Sequence, residues 1–122
     1  MDEYNPNSIL DTIKKTLGIM YDYEIFDPEL IIHINSAFSI LYELGVGPSI
    51  PYKITSRENT WDEFLEDNTQ LENVKTYIYM KVRLVFDPPS NSFVVDAFEK
   101  QIQELEWRMN VAVETECLNG KG

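Results

Sequence analysis

The side chains that could carry chemistry in this 122-residue chain are few and poorly placed for it. His33 is the single histidine and stands among isoleucines in a run of helical periodicity, where a structural role is expected. A serine or cysteine nucleophile needs a base within hydrogen-bond reach and a third group to orient that base. His33 alone cannot supply both. Cys117 is the one cysteine, so no internal disulfide can form, which fits a reducing compartment, and zinc has no ligand set. Asp62, Glu63, Glu66 and Asp67 fall at helical spacing without the glycine of a calcium loop, and read as a solvated helix face. Gly45-Val46-Gly47-Pro48 lacks the lysine and the strand–helix setting of a phosphate loop, and reads as a helix stop and turn. Lys75, Lys81 and Arg83 gather positive charge, expected to pair with carboxylates within or between copies. No catalytic, metal or cofactor site is expected.

The elements that hold these residues are helices. The first is expected from Asn7 or Ser8 through Ile9, Leu10, Ile13 and Leu17, ending at Gly18. An aromatic and acidic link, residues 21–26, leads to Asp27-Pro28-Glu29, which reads as N-cap, first-turn proline and first-turn acid of a second helix ending at Leu44-Gly45. Residues 45–59 form the longest irregular loop, in which Tyr52-Lys53-Ile54 is a weak candidate for an extended piece. Thr60-Trp61-Asp62-Glu63 is a capping-box pattern for a short acidic helix through Asp67, and Thr69-Gln70-Leu71-Glu72 repeats it before a fourth helix reaching Phe86. Asp87-Pro88-Pro89 is a hard stop, because proline cannot continue a helix and pushes its predecessor out of the α region. Ser90, Asn91 or Ser92 then caps a fifth helix to Ala112. The fold class is all-α: a small bundle of four to five helices with a long C-terminal helical hairpin. Residues 1–112 are expected to be one domain and residues 113–122 a flexible tail.

Apolar residues make up 43% of the chain and charged ones 25%, which is ordinary; a net charge of −11 is not. Such acidity works against binding phosphate backbones through a general positive field. No basic stretch leads into an apolar one at the N-terminus, so no secretory signal is expected. The most apolar run, residues 30–44, is too short and too polar to span a bilayer, and a soluble, intracellular chain is expected.

Two faces exceed what one core needs. On the fifth helix Val94, Val95, Phe98, Ile102, Leu105 and Met109 form one stripe, while Trp107 points opposite, beside Phe93 and Val111. Asp96, Lys100, Glu104 and Arg108 form a ladder of alternating sign between them. The second helix buries Leu30, Ile34, Ala37, Leu41 and Leu44, and Ile31, Ile32, Phe38 and Ile40 spread apolar surface around it, as in a helix central to a bundle or shared between subunits. Trp107 either lies flat on its own helix or anchors another copy. The surplus points to oligomerisation.

The segment Val74 to Pro89 (VKTYIYMKVRLVFDPP), with Ser92-Phe93 and then Glu104-Leu105-Glu106-Trp107-Arg108-Met109, resembles the head–tail connector (adaptor, or head completion) family of tailed bacteriophages. Ile31 to Phe38, Leu44 to Pro48 and Trp61 to Leu65 are similar to its prophage-borne branch. The resemblance covers residues 8 to 112. It implies a helical, non-enzymatic structural virion protein at the head–tail interface, made in the host cytoplasm. Copies of it form a ring, commonly a dodecamer, beneath the portal protein. Such a ring extends the DNA channel, lets DNA pass without specific binding, and docks a stopper or tail completion protein, with no membrane involved. A dodecamer would carry roughly −130 formal charges, repelling DNA from the wall. Trp107, Arg108, Lys81, Arg83, Asp87, Pro88 and Pro89 are the expected assembly residues, with Arg83 and Arg108 pairing across subunits and the Asp87-Pro88-Pro89 tip setting the hairpin geometry. Asp22, Glu24, Asp62, Glu63, Glu66 and Asp67 are the candidate channel acids. The competing class is a small acidic regulatory protein, a DNA mimic or binder of a host enzyme, acting as monomer or dimer.

Overall fold

The computed structural model describes residues 3–65 and 70–119, of which 116–119 are defined by their backbone. The helices are α1 (Ile9–Thr16), α2 (Asp27–Glu43), α3 (Trp61–Phe64), α4 (Leu71–Phe86) and α5 (Ser92–Asn119). Among the described residues there is no strand; Ser8 and Thr60 form an isolated antiparallel bridge.

Ser8 caps α1 from an extended conformation, its hydroxyl accepting from the Asp11 N–H at 3.1 Å. The helix buries Ile9, Leu10 and Ile13 and gives way to Gly18, as its sequence predicts. At α2 the expected cap is displaced by one residue. Phe26 occupies the N-cap without a side-chain bond, Asp27 is already helical, and Pro28 follows it in the first turn. The Asp27 carboxylate is engaged elsewhere: Lys14 Nζ donates to it at 2.8 Å.

α2 is the central element, burying Leu30, Ile34, Ala37, Phe38 and Leu41 against α4 and α1. Its start meets the end of α4, where the Phe26 and Phe86 rings lie 5.2 Å apart, so the two helices run antiparallel. Ile31 and Ile40 are half-buried on the core, and Ile32 is left in solvent. The helix ends in a Schellman arrangement: Gly45 N–H donates to the Tyr42 carbonyl and Val46 N–H to that of Leu41, with Gly45 at φ 84°.

The irregular segment 45–59 is a packed layer, anchored at Ile54. The Asn35 amide donates to the Ile54 carbonyl at 3.0 Å and accepts from its N–H at 2.8 Å, serving both backbone groups as a strand neighbour would. This leaves Ile54 buried. Gly47 is forced by contact as well as by its φ of 99°, since a Cβ there would stand 2.5 Å from the Phe64 ring. Phe64 in turn packs at a tilt against the Phe38 and Tyr52 rings.

The capping box of α3 forms as predicted, with Thr60 and Glu63 bonding reciprocally. The helix is shorter than expected, because Leu65 has already turned extended (φ −150°, ψ 106°). Glu66, Asp67 and the proposed cap Thr69 lie outside the described residues. Gln70 stands at the N-cap of α4 without a side-chain cap bond, its amide oxygen accepting instead from the Asn73 side chain at 3.1 Å.

α4 stops at Phe86, and Asp87 leaves the helix at φ −150°. Of the three candidate caps of α5, Asn91 is the one used: its carbonyl accepts from Val94 and Val95, and its side chain from the Phe93 N–H at 2.7 Å. α5, about 42 Å long at 1.5 Å per residue, continues past Ala112 to Asn119. No glycine or proline interrupts 113–119. Val113 ties this stretch to the end of α2 by lying against Gly45, and just before it Asn110 donates to the Leu44 carbonyl at 3.3 Å. The hairpin is pinned midway by Tyr77, fully buried, whose hydroxyl donates to Glu106 at 2.7 Å.

Candidate assembly surface

The polar residues examined for chemistry are used as local ties. His33 sits 3.4 Å from Glu29 on its own helix. Asp62 accepts from the Asn7 amide at 3.1 Å. Glu63 accepts from the Tyr52 hydroxyl at 2.9 Å and the Asn59 amide at 3.2 Å. These bonds, Asn59 foremost, hold the Glu63 carboxyl below its usual range, while burial and then Glu63 push the Tyr52 phenol upward. Burial and Glu106 do the same to Tyr77. Asp22 and Glu24 are exposed on the α1–α2 link, far in sequence from Asp62 and Glu63 on α3. Among the described residues no group of three or more His, Cys, Asp or Glu could hold a metal ion, and no helix is long and apolar enough to cross a membrane.

The cations of α4 meet aromatic rings as well as the carboxylate expected for Lys75. Lys75 lies 5.5 Å from the Trp61 ring centre and only 3.9 Å from a Glu72 oxygen; Lys81 lies 5.9 Å over Tyr77. Arg83 donates to the Tyr79 hydroxyl at 3.0 Å and to the Asp87 carbonyl at 3.1 Å, and covers the Phe98 ring. It therefore closes its own helix end. Arg108 likewise has a partner one turn back, Glu104 at 2.6 Å, and this is the one rung of the α5 ladder that closes among the described residues.

Apolar surface, by contrast, is left uncovered. Ile102, Leu105 and Met109 carry the buried stripe of α5, with Phe98 half-buried beside them. On the opposite side Trp107 is 66% exposed and Phe93 81% exposed, with Val111 near them in helical angle. Trp61, the other tryptophan, is the buried one; its indole N–H donates to Thr12 at 3.0 Å. At the hairpin tip Asp87 and Pro88 are exposed and Pro89 half-exposed.

Two features escaped the sequence reading. Asp11 and Lys14, on α1, are buried ion-pair partners of residues distant in sequence. Arg57 grips Asp11 with two nitrogens, Nε at 3.0 Å, and the Asn5 N–H adds a third bond; Lys14 bonds both Asp27 and the Tyr21 carbonyl. The only signal in the sequence is that two charged residues share the stretch holding Leu10 and Ile13. The second feature is the link itself, which exposes Met20 (66%), Tyr23 and Ile25 (67%) beside Phe26. Its residues have no helical period that would have marked them as one patch.

No curated protein and no solved structure gives a significant match to the chain. A family model described as Phage connector protein matches residues 9–116, from the first residue of α1 to the last turns of α5. An all-helical unit with a rigid hairpin and an uncovered α5 face is thus a member of the phage connector protein family, as its resemblance to the head–tail connectors implied.

Proposed function

We propose that this chain is a head–tail connector subunit whose copies form a ring beneath the portal, extend the DNA channel and dock a stopper or tail completion protein. The observation that carries this is Trp107, two-thirds exposed on a helix whose opposite side makes the core. Exposed tryptophan is rare on a surface with no partner and is enriched where partners bind. Membership of a structural phage family supports the same reading. The net charge of −11 suits a wall along which DNA must slide without sticking. In this reading Trp107 anchors the contact between copies, and the Asp87-Pro88-Pro89 tip, held by Arg83, presents a fixed surface to the neighbouring ring. Lys81 and Arg108 join the residues that meet the neighbouring copy.

The test is to mix the chain with its portal and image the complex. Wild type should give a ring on the portal face, whereas Trp107→Ala should lower its occupancy with helical circular dichroism unchanged. A hot-spot loss of about 2 kcal/mol, roughly 30-fold per contact, is the expected scale. A chain that stays monomeric with portal present and instead binds a host enzyme would transfer the protein to the acidic regulators.

A further inference from the structure

Two of the exposed apolar patches of this chain stand well apart, and their separation constrains how copies can meet. The first is the outer face of α5 around Trp107. The second is the α1–α2 link, where Met20, Tyr23 and Phe26 rim an open groove of about 490 Å³ with Asp22 in its wall. The link is a stiff platform. Tyr23, Phe26 and Phe86 form a chain of edge-on rings with centroids 5.8 and 5.2 Å apart, and the Lys14 bonds to Tyr21 and Asp27 fix both flanks. The Phe26–Phe86 contact places the groove at the hairpin-tip end of the molecule. Trp107 lies fourteen residues along α5 from Phe93, about 21 Å from that end.

A contact that pairs one patch with itself leaves the other bare, whereas one that seats the first patch on the second covers both and, repeated head to tail, closes a ring. Charge selects the same pairing. In a chain of net charge −11, the outer face of α5 carries Lys100 and Arg108 among Asp96, Glu104 and Glu114, whereas residues 17–26 of the link hold no cation. Lys100 is exposed there with no ion partner among the described residues; Asp22 and Glu24 are exposed on the link in the same condition. Resting on the ring assembly proposed above, we propose that Trp107 of one copy seats in the Met20–Tyr23–Phe26 groove of the next, with Lys100 meeting the link acids. Asp22 and Glu24 then belong to the contact between copies and are withdrawn from the channel wall.

Disulfide trapping tests this on the full chain. With Cys117 replaced by serine, Met20→Cys and Val111→Cys variants are prepared separately, mixed and oxidised. Both sites are on the surface, so folding is preserved. The mixed disulfide dimer should exceed either homodimer by about tenfold, and adding Trp107→Ala to the Val111→Cys chain should remove that excess. Preferential trapping of the Val111→Cys homodimer would overturn the head-to-tail pairing while leaving self-assembly intact. Statistical trapping in all three combinations would overturn it as well. If wild type also stays monomeric in light scattering up to the highest soluble concentration and with portal added, the ring itself falls.

Discussion

Asp11 shows how a buried charge is tolerated in so small a domain. Its carboxylate is almost fully enclosed, yet it receives two guanidinium donors and a backbone N–H, so the desolvation cost is offset by bonds that fill its lone pairs. Removing only one partner should therefore be worse than removing both. Arg57→Met is expected to cost about 3–5 kcal/mol in urea denaturation, and a double Asp11→Leu, Arg57→Met variant should recover most of it. Equal loss in the single and double variants would mean that Arg57 acts through its bonds to the N-terminal segment, where it also holds the Glu3 carbonyl. Trp61 and Trp107 make the complementary point. The same residue type is core in one place and surface in the other, because Trp61 finds Thr12 for its N–H while Trp107 faces away from every packed helix.

At the scale of elements, the hairpin owes its form to a few residues at its bend. Pro88 and Pro89 prohibit one continuous helix, Arg83 ties the last α4 turn to Asp87, and Asn91 starts α5. The far end of α5 depends on tertiary contact. Val113 closes over Gly45, so the turns beyond Ala112 brace the end of α2. Ending the chain after Ala112 should lower thermal stability by about 1 kcal/mol, the scale of one partly buried valine. An unchanged melting temperature would make that stretch a passive extension. The hydrophobic period specified α1, α2, α4 and α5 well, because each carries its core residues at spacings of three and four. It gave no account of segment 45–59, whose order comes from Asn35 and a cluster of rings supplied by α2 and α3.

At the scale of the whole molecule, charge and apolar surface act against each other. Copies at −11 repel, and that repulsion is long-ranged at low salt, whereas an indole contact is short-ranged. Self-association of the wild type should therefore rise as ionic strength goes from about 0.01 M to about 0.1 M, over which the screening length shrinks from roughly 30 to 10 Å. Trp107→Ala should flatten that rise. Association that weakens with salt would instead mean that ion pairs such as Lys100 with the link acids dominate the contact. Sedimentation across a salt series reads the difference.

What the sequence determined by itself is the helical class, the places where helices must break, the surplus face carrying Trp107 and most of the core, though Val94 of the expected stripe is exposed and Phe38, read as surplus surface, is buried. All of these follow from local rules: proline geometry, capping chemistry and the 3.6-residue period. The tertiary structure decided which charges are buried, that Arg83 and Arg108 turn to partners in their own chain, and that the link forms an apolar platform at the tip end. Those outcomes join residues tens of positions apart, such as Asp11 with Arg57 and Phe26 with Phe86. No local rule reaches that far, because such contacts exist only once the helices have packed.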